Sequence, residues 1–130
     1  MRFNRKDLYF QSVVKSYSDV IIYCGEKKEL LFNLAGVNFN FRYFDVSGKI
    51  FKRITELFPE EYKAYDMLGN IYALKNDYTT ALKYFTMTAL VKSDYSSAYF
   101  HRAVLYSKLK RYDKAEEEII KARQSGFEVP

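Results

Sequence analysis

The side chains that most often perform catalysis are scarce in this 130-residue chain, which contains one histidine, His101, and one cysteine, Cys24. A catalytic triad or a zinc site needs several such groups at defined spacing, and the sequence offers neither. The five glycines are scattered and form no phosphate-binding loop. We therefore predict a protein that is not an enzyme and that needs no metal or cofactor.

Carboxylates occur in two short runs, Glu60-Glu61 and Glu116-Glu117-Glu118. The first run follows Pro59 at the start of a predicted helix, where acidic groups interact favourably with the helix dipole. The second run lies on a predicted helix whose other face is apolar, so we expect its carboxylates to be solvated. Neither run indicates general acid or base catalysis.

The strongest pattern in the sequence is a period of 34 residues. Large apolar side chains recur in one column at Phe10, Phe44, Tyr78 and Tyr112 and in another at Tyr17, Phe51, Phe85 and Ile119, while a third column holds Val13, Ser47, Ala81 and Ala115. A fixed period of this length is typical of repeat proteins, whose function usually lies in a surface.

Each period predicts two helices. Apolar residues follow the spacing of an amphipathic helix, as at Tyr65, Leu68 and Tyr72. Capping and helix-breaking residues such as Pro59 and Asn76-Asp77 separate the helices. The pattern predicts an all-α chain of about seven helices, at roughly 7–23, 28–41, 44–57, 62–74, 78–91, 96–109 and 112–124.

This period of paired helices resembles the tetratricopeptide repeat family. The middle unit carries the resemblance best, with Tyr65, Leu68, Gly69, Tyr72, Ala81 and Phe85 in the signature columns. The last unit has Arg102 where leucine is usual, and the first has Asn38 and Ser47 in the tyrosine and alanine columns. The resemblance implies a right-handed α-solenoid of antiparallel helix pairs. It also implies a single domain, 1–130, with a half unit at 7–23 and repeats at 28–61, 62–95 and 96–129.

The resemblance also implies a function. In the family the first helix of each pair lines a concave groove that binds an extended or helical segment of a partner protein. The matching positions are Phe32, Asn33, Phe39, Asn40, Lys63, Asp66, Asn70, Phe100, His101 and Lys108. The amides would bond to a peptide backbone and the phenylalanines would take up apolar side chains. Alternatively each phenylalanine is an ordinary packing residue, and His101 is a polar surface residue.

Two other functions stay open at this point. Small bacterial secretion-type chaperones resemble this chain in size and hold an extended client segment in their groove. Nucleic-acid binding is suggested by the net charge of +5 and the 13 tyrosines. It is the weaker alternative because the basic residues are scattered and many tyrosines occupy repeat columns. Salt-sensitive binding to RNA or DNA would favour it.

Apolar side chains lie on more than one face of the predicted helix at 7–23, including Tyr9, Val13, Tyr17 and Val20. We expect them to be buried against a second copy in a homodimer, a partner protein or a preceding segment. The apolar run Val20–Cys24 is too short for a membrane helix, and no signal peptide is evident, so we expect a cytoplasmic protein without membrane insertion.

Overall fold

The computed structural model describes residues 28–128, and all regular secondary structure in this range is α-helical. Its helices are α1 (Lys28–Asn40), α2 (Phe44–Leu57), α3 (Tyr62–Leu74), α4 (Tyr78–Val91), α5 (Ser96–Lys108) and α6 (Tyr112–Gln124). The predicted all-α class is confirmed, and each of these helices ends within one residue of its predicted boundary. The helix predicted at 7–23 lies outside the described residues.

The chain divides between Phe58 and Pro59 into two compact units. In the described part of the first unit, α1 packs against α2. In the second unit α3 packs against α4, α4 against α5, and α5 against α6. Helices that are neighbours along the chain are therefore neighbours in space within each unit.

The turns within the helix pairs repeat one backbone conformation. Arg42, Asn76 and Lys110, each 34 positions from the next, have left-handed φ angles of 64°, 63° and 60°. In each turn the following residue donates its N–H to the carbonyl five positions earlier, at 2.9, 2.9 and 2.8 Å. These bonds satisfy a carbonyl of the ending helix. The 34-residue period of the sequence is thus also a period of the backbone.

The core of the second unit is built around Ala81 and Phe85 of α4 and Leu105 of α5, which are all buried. Gly69 of α3 lies against Phe85, because a Cβ atom added at Gly69 would be 2.7 Å from Phe85 Cε1. The missing side chain therefore allows α3 and α4 to approach.

The first unit departs from the pattern at two buried polar residues. Ser47 of α2 donates its hydroxyl to the carbonyl of Ala35 in α1 at 2.8 Å, so a hydrogen bond links the two helices. Asn38 is fully buried and donates from Nδ2 to the carbonyl of Leu34 at 2.8 Å. Its Oδ1 has no hydrogen-bond partner among the described residues. The hydroxyl of Ser47 is thus hydrogen-bonded, whereas the buried Oδ1 of Asn38 has no partner among the described residues.

Candidate functional site

The predicted groove residues all lie on the first helix of a pair. Phe32, Asn33, Phe39 and Asn40 lie on α1, whereas Lys63, Asp66, Asn70, Phe100, His101 and Lys108 lie on α3 and α5. α1 belongs to the first unit, and α3 and α5 belong to the second. Of the predicted residues on α3 and α5, the structure brings Asp66 and His101 together.

The asparagines of this set have amides that are not used within the described chain. Asn33 and Asn40 are exposed and Asn70 is half-buried, and none of the three bonds through its side chain to a residue in 28–128. Asn38, by contrast, is buried and bonded to its own helix. The residues predicted to bind a peptide backbone are thus the ones whose amides have no partner within this range.

The phenylalanines of the set are half-buried, and each contacts another ring. Phe32 meets Phe51 of α2 edge-on with ring centroids 6.0 Å apart, and Phe39 meets Phe44 at 5.4 Å. Phe100 stacks on Phe127, beyond the end of α6, at 4.6 Å. These contacts give all three rings a packing role and leave part of each accessible.

Asp66 is a buried acid whose two oxygens have different surroundings. Tyr95, at the start of α5, donates its hydroxyl to Asp66 Oδ2 at 3.3 Å. Asp66 Oδ1 faces His101 Nδ1 at 3.7 Å. The ring of His101 also lies 4.8 Å from the ring of Phe85. The carboxylate of Asp66 therefore contacts both Tyr95 and His101, and these side chains cover it.

Tyr95 was not predicted as part of this face. Burial raises the pKa of its hydroxyl above the ordinary 10.0, and the charge of Asp66 raises it further. Its ring lies 4.9 Å from that of Tyr62, over which Lys92 Nζ sits at 5.4 Å from the centroid. The available sequence signal was an aromatic residue inside a stretch of helix-breaking residues, at 93–97.

The predicted lysines lie at the edge of the site. Lys63 is exposed on α3, and Lys108 is exposed with its ammonium 5.5 Å from the centroid of the Tyr78 ring. An open cleft of about 470 Å³ lies close by at the turn between α5 and α6, lined by Lys110, Arg111, Tyr112, Asp113, Lys114 and Glu117. The lining contains three basic and two acidic side chains, so the cleft has only a small net positive charge.

The expectation of a fully solvated acidic run at 116–118 is wrong for Glu118. Its side chain is buried, lies 3.2 Å from Arg102 Nη1 and also contacts Lys121 Nζ at 3.3 Å. Arg102, which stands in the leucine column, is itself mostly buried. The two departures from the repeat pattern thus compensate each other by forming an ion pair, whereas Glu116 and Glu117 are exposed as expected.

Other predicted features fall outside these contacts. Tyr9, Val13, Tyr17 and Val20, the predicted self-association residues, lie outside the described residues. No group of histidine, cysteine, aspartate and glutamate side chains suited to a metal ion occurs in the part of the chain that the structure describes. Within the same part, no helix is long and apolar enough to cross a membrane.

Comparison with known proteins identifies the repeat. Residues 62–86 and 96–122 match the family model described as tetratricopeptide repeat. These segments contain α3 with most of α4, and α5 with most of α6. No curated protein sequence matches the chain.

Solved structures give the same fold. MamA superimposes with a TM-score of 0.77 at 17% identity, over 97% of this chain and 77% of that one. The Yersinia enterocolitica type III secretion chaperone SycD, in complex with a peptide of the translocator YopD, gives 0.74 at 19% identity, over 78% of each chain. PcrH, in complex with the chaperone binding region of PopD, gives 0.71 at 25% identity, over 75% and 73%.

The sequence match and the structural similarity both indicate a fold of paired helices. Residues 62–86 and 96–122 are therefore two tetratricopeptide repeats.

Proposed function

We propose that this chain is a non-enzymatic protein-binding scaffold whose first helices hold a segment of a partner protein. The amides of Asn33, Asn40 and Asn70, which have no partner among residues 28–128, carry the proposal. An amide offers both a donor and an acceptor, so it can bond to a peptide backbone whatever the side chains of the peptide are. The expected compartment, the cytoplasm, remains a prediction.

Exposed apolar side chains on α3 and α5 support the same proposal. Leu74 of α3 is 51% exposed and Val104 of α5 is 38% exposed, and both helices also carry predicted groove residues. A surface that combines amides with accessible apolar groups suits a segment that presents both its backbone and apolar side chains. We expect the partner segment to be extended or helical and to contain apolar residues.

A narrower version of the proposal is a secretion-type chaperone. SycD and PcrH, which share the fold, were each solved with a segment of another protein. On this version the partner is a client that the chain keeps extended before export. A client that is captured only before its secretion would favour this role over a general adaptor.

Photo-crosslinking tests the proposed face. A photoreactive amino acid is placed at Lys63, exposed on α3, and in a matched control at Gln124, exposed on α6. We expect a crosslinked partner from extracts of the source cell only with the probe at position 63. Adding Asn70→Ala should weaken the capture by roughly fivefold, which corresponds to one lost hydrogen bond of about 1 kcal/mol. Equal capture from both positions would move the binding surface elsewhere.

The same samples separate the remaining alternatives. Capture of nucleic acid that falls steeply with added salt would replace the protein-binding proposal with the polyanion alternative. A homodimer through Tyr9, Val13, Tyr17 and Val20 also remains a prediction. Sedimentation of the full chain over a range of concentrations distinguishes a dimer from a monomer.

A further inference from the structure

Asp66 and His101 face each other between α3 and α5 in a way that leaves both side chains one hydrogen bond short. Oδ1 of Asp66 lies 3.7 Å from Nδ1 of His101. Both atoms are buried, and neither has a hydrogen-bond partner within residues 28–128. A buried polar atom without a partner costs roughly 1–3 kcal/mol, so the contact requires an explanation.

The position of one proton decides whether this contact is attractive. A carboxylate oxygen only accepts hydrogen bonds, whereas a neutral imidazole has one N–H group and one bare nitrogen. With the proton on Nε2, two lone pairs would face each other. With the proton on Nδ1, the N–H points toward Asp66, and a small closure of the 3.7 Å gap completes a hydrogen bond. Asp66 therefore favours the Nδ1–H tautomer.

The second ring nitrogen of His101 is then available to a ligand. Nε2 is not among the buried unpaired atoms and bonds to no described residue, and the side chain is 35% exposed. In the Nδ1–H tautomer Nε2 carries a lone pair and accepts a hydrogen bond. Once the ring takes up a second proton, Nε2 becomes a donor instead.

Among the groups around His101, Asp66 determines which ring nitrogen carries the proton. From α3 the ring faces Asp66, whose other oxygen is held by Tyr95, and from α4 it faces the uncharged ring of Phe85. Phe100 is the aromatic neighbour on α5 itself, at 6.3 Å. The adjacent Arg102 pairs with Glu118. Within the described chain, Asp66 is thus the one charged group in contact with the imidazole.

We infer that Asp66 fixes His101 as the Nδ1–H tautomer, so that Nε2 recognises a neutral N–H or O–H donor of the partner segment. Protonation of the ring replaces the acceptor by a donor and weakens the binding of that segment. The inference rests on the proposed function only in placing the partner on this face. The tautomer is a property of the free protein.

Nitrogen NMR of the full chain tests the tautomer directly, because the only histidine gives the only pair of imidazole nitrogen signals. At about pH 8 we expect a pyrrole-type signal from Nδ1 and a pyridine-type signal from Nε2. The reverse assignment would overturn the inference, and it would leave the proposed protein-binding function untouched.

Two variants show whether Asp66 is the cause. Asp66→Asn removes the charge and can turn its amide N–H toward Nδ1, so we expect the population to shift toward the Nε2–H tautomer. Tyr95→Phe removes only the hydroxyl on the far oxygen of Asp66, so the tautomer should stay as in the wild type. An unchanged tautomer in Asp66→Asn would show that the carboxylate does not select it.

A library of random peptides displayed on phage tests the ligand chemistry. Peptides are selected on the full chain at about pH 8, kept if Asn70→Ala weakens them, and measured again at about pH 5. We expect a loss of roughly tenfold or more at the lower pH, and a much smaller loss with His101→Gln, which keeps an acceptor. Binding that is equal at both pH values would overturn the donor recognition. Failure to select any peptide would count against the proposed function while leaving the tautomer result standing.

Discussion

Gly69 lies directly against the ring of Phe85, where no side chain fits. A Cβ atom would come within 2.7 Å of two ring atoms, and Phe85 is itself buried in the core cluster. We expect Gly69→Ala to lower the free energy of unfolding by about 2 kcal/mol, since overpacking a core typically costs 1–3 kcal/mol. Urea denaturation followed by circular dichroism measures the change.

Gly48 provides the matched control in α2. A Cβ atom there would meet nothing within 4 Å, so Gly48→Ala should instead raise the free energy of unfolding by roughly 0.5–1 kcal/mol through helix propensity alone. Equal effects at both glycines would contradict the packing argument.

Tyr95 predicts a change in stability at alkaline pH. Its pKa is raised above 10.0, chiefly by burial. The unfolded chain therefore loses this proton at lower pH than the folded chain does. The stabilisation by the protonated hydroxyl is complete below pH 10 and is lost as the pH rises through the folded pKa. We expect Tyr95→Phe to make the fall in unfolding free energy above pH 10 less steep, as measured by urea denaturation.

Tyr112→Phe is the control for general tyrosine ionisation, because Tyr112 is 64% exposed. It should lose stability with pH as the wild type does. At neutral pH, Tyr95→Phe should cost about 1 kcal/mol through the lost hydrogen bond to Asp66. The free energies of unfolding of the wild type and of Tyr95→Phe could instead fall in parallel above pH 10. That result would show that burial of this hydroxyl does not affect folding.

Residue types predicted less of the site than of the core. Gly69 occupies a signature position of the repeat, and the structure shows why a small residue is needed there, because Phe85 fills the space of a side chain. The sequence did not predict that Asp66 and His101 would face each other, since a contact between two helices depends on their rotation by a few degrees. The hydrogen bond from Ser47 to Ala35 was hidden for the same reason.

At the scale of the helix, a prediction follows from the buried ion pair between Arg102 of α5 and Glu118 of α6. Arg102→Leu restores the usual residue of the column but leaves Glu118 buried with only the half-exposed Lys121. Breaking a buried pair by removing one partner typically costs 3–5 kcal/mol, whereas replacing both by apolar residues is often neutral. We expect Arg102→Leu alone to cost about 3 kcal/mol and Arg102→Leu with Glu118→Leu to recover most of it.

A double-mutant cycle on urea denaturation measures this coupling. Glu116→Leu replaces Glu118→Leu in the control, because Glu116 is exposed on the same helix. The control should not recover the stability lost in Arg102→Leu. Additive effects of the changes at 102 and 118 would mean that the ion pair does not stabilise the contact between α5 and α6.

The left-handed turns make a second prediction for helix ends. Arg42 and Lys110 hold φ near 60°, which costs an ordinary side chain roughly 1 kcal/mol but costs glycine nothing. Arg42→Gly and Lys110→Gly should therefore stabilise the chain by up to about 1 kcal/mol, despite the greater freedom of glycine in the unfolded state.

Asn76→Gly is the comparison, because asparagine tolerates the left-handed region better than arginine or lysine. Its gain should be the smallest of the three in thermal unfolding. Loss of stability in Lys110→Gly would instead indicate that the lysine side chain contributes more at this turn than its backbone strain costs.

Helix boundaries were predictable because local signals agreed with the period. Asp77 caps α4 by accepting from the N–H of Thr80, and Pro59 follows the end of α2. The burial of Glu118 was not predictable from its own helix, where it belongs to a run of three acids. Its reason lies on the neighbouring helix, at Arg102.

For the whole molecule, one column of the repeat differs in exposure between α1 and α5. Val37 is 47% exposed, whereas Leu105, two periods later in the same column, is buried against Ala81 and Phe85. The same repeat position is therefore covered in the second unit and accessible on α1.

Among the predicted groove residues, the amides and the rings have different surroundings. Asn33, Asn40 and Asn70 have side chains without a partner among residues 28–128, whereas the predicted phenylalanines pack against rings of their own unit. The repeat pattern assigns positions to the face of a helix. It does not predict which other side chain packs against a residue on that face, as Phe127 packs against Phe100.

The repeated turns at Arg42, Asn76 and Lys110 also bear on how quickly the chain folds. Each turn joins helices that are adjacent in sequence, so contacts within a pair form without closing a long loop. Proteins dominated by such local contacts fold in roughly microseconds to milliseconds. In a repeat array any helix pair can form first and template its neighbours, so no single pair needs to serve as the nucleus.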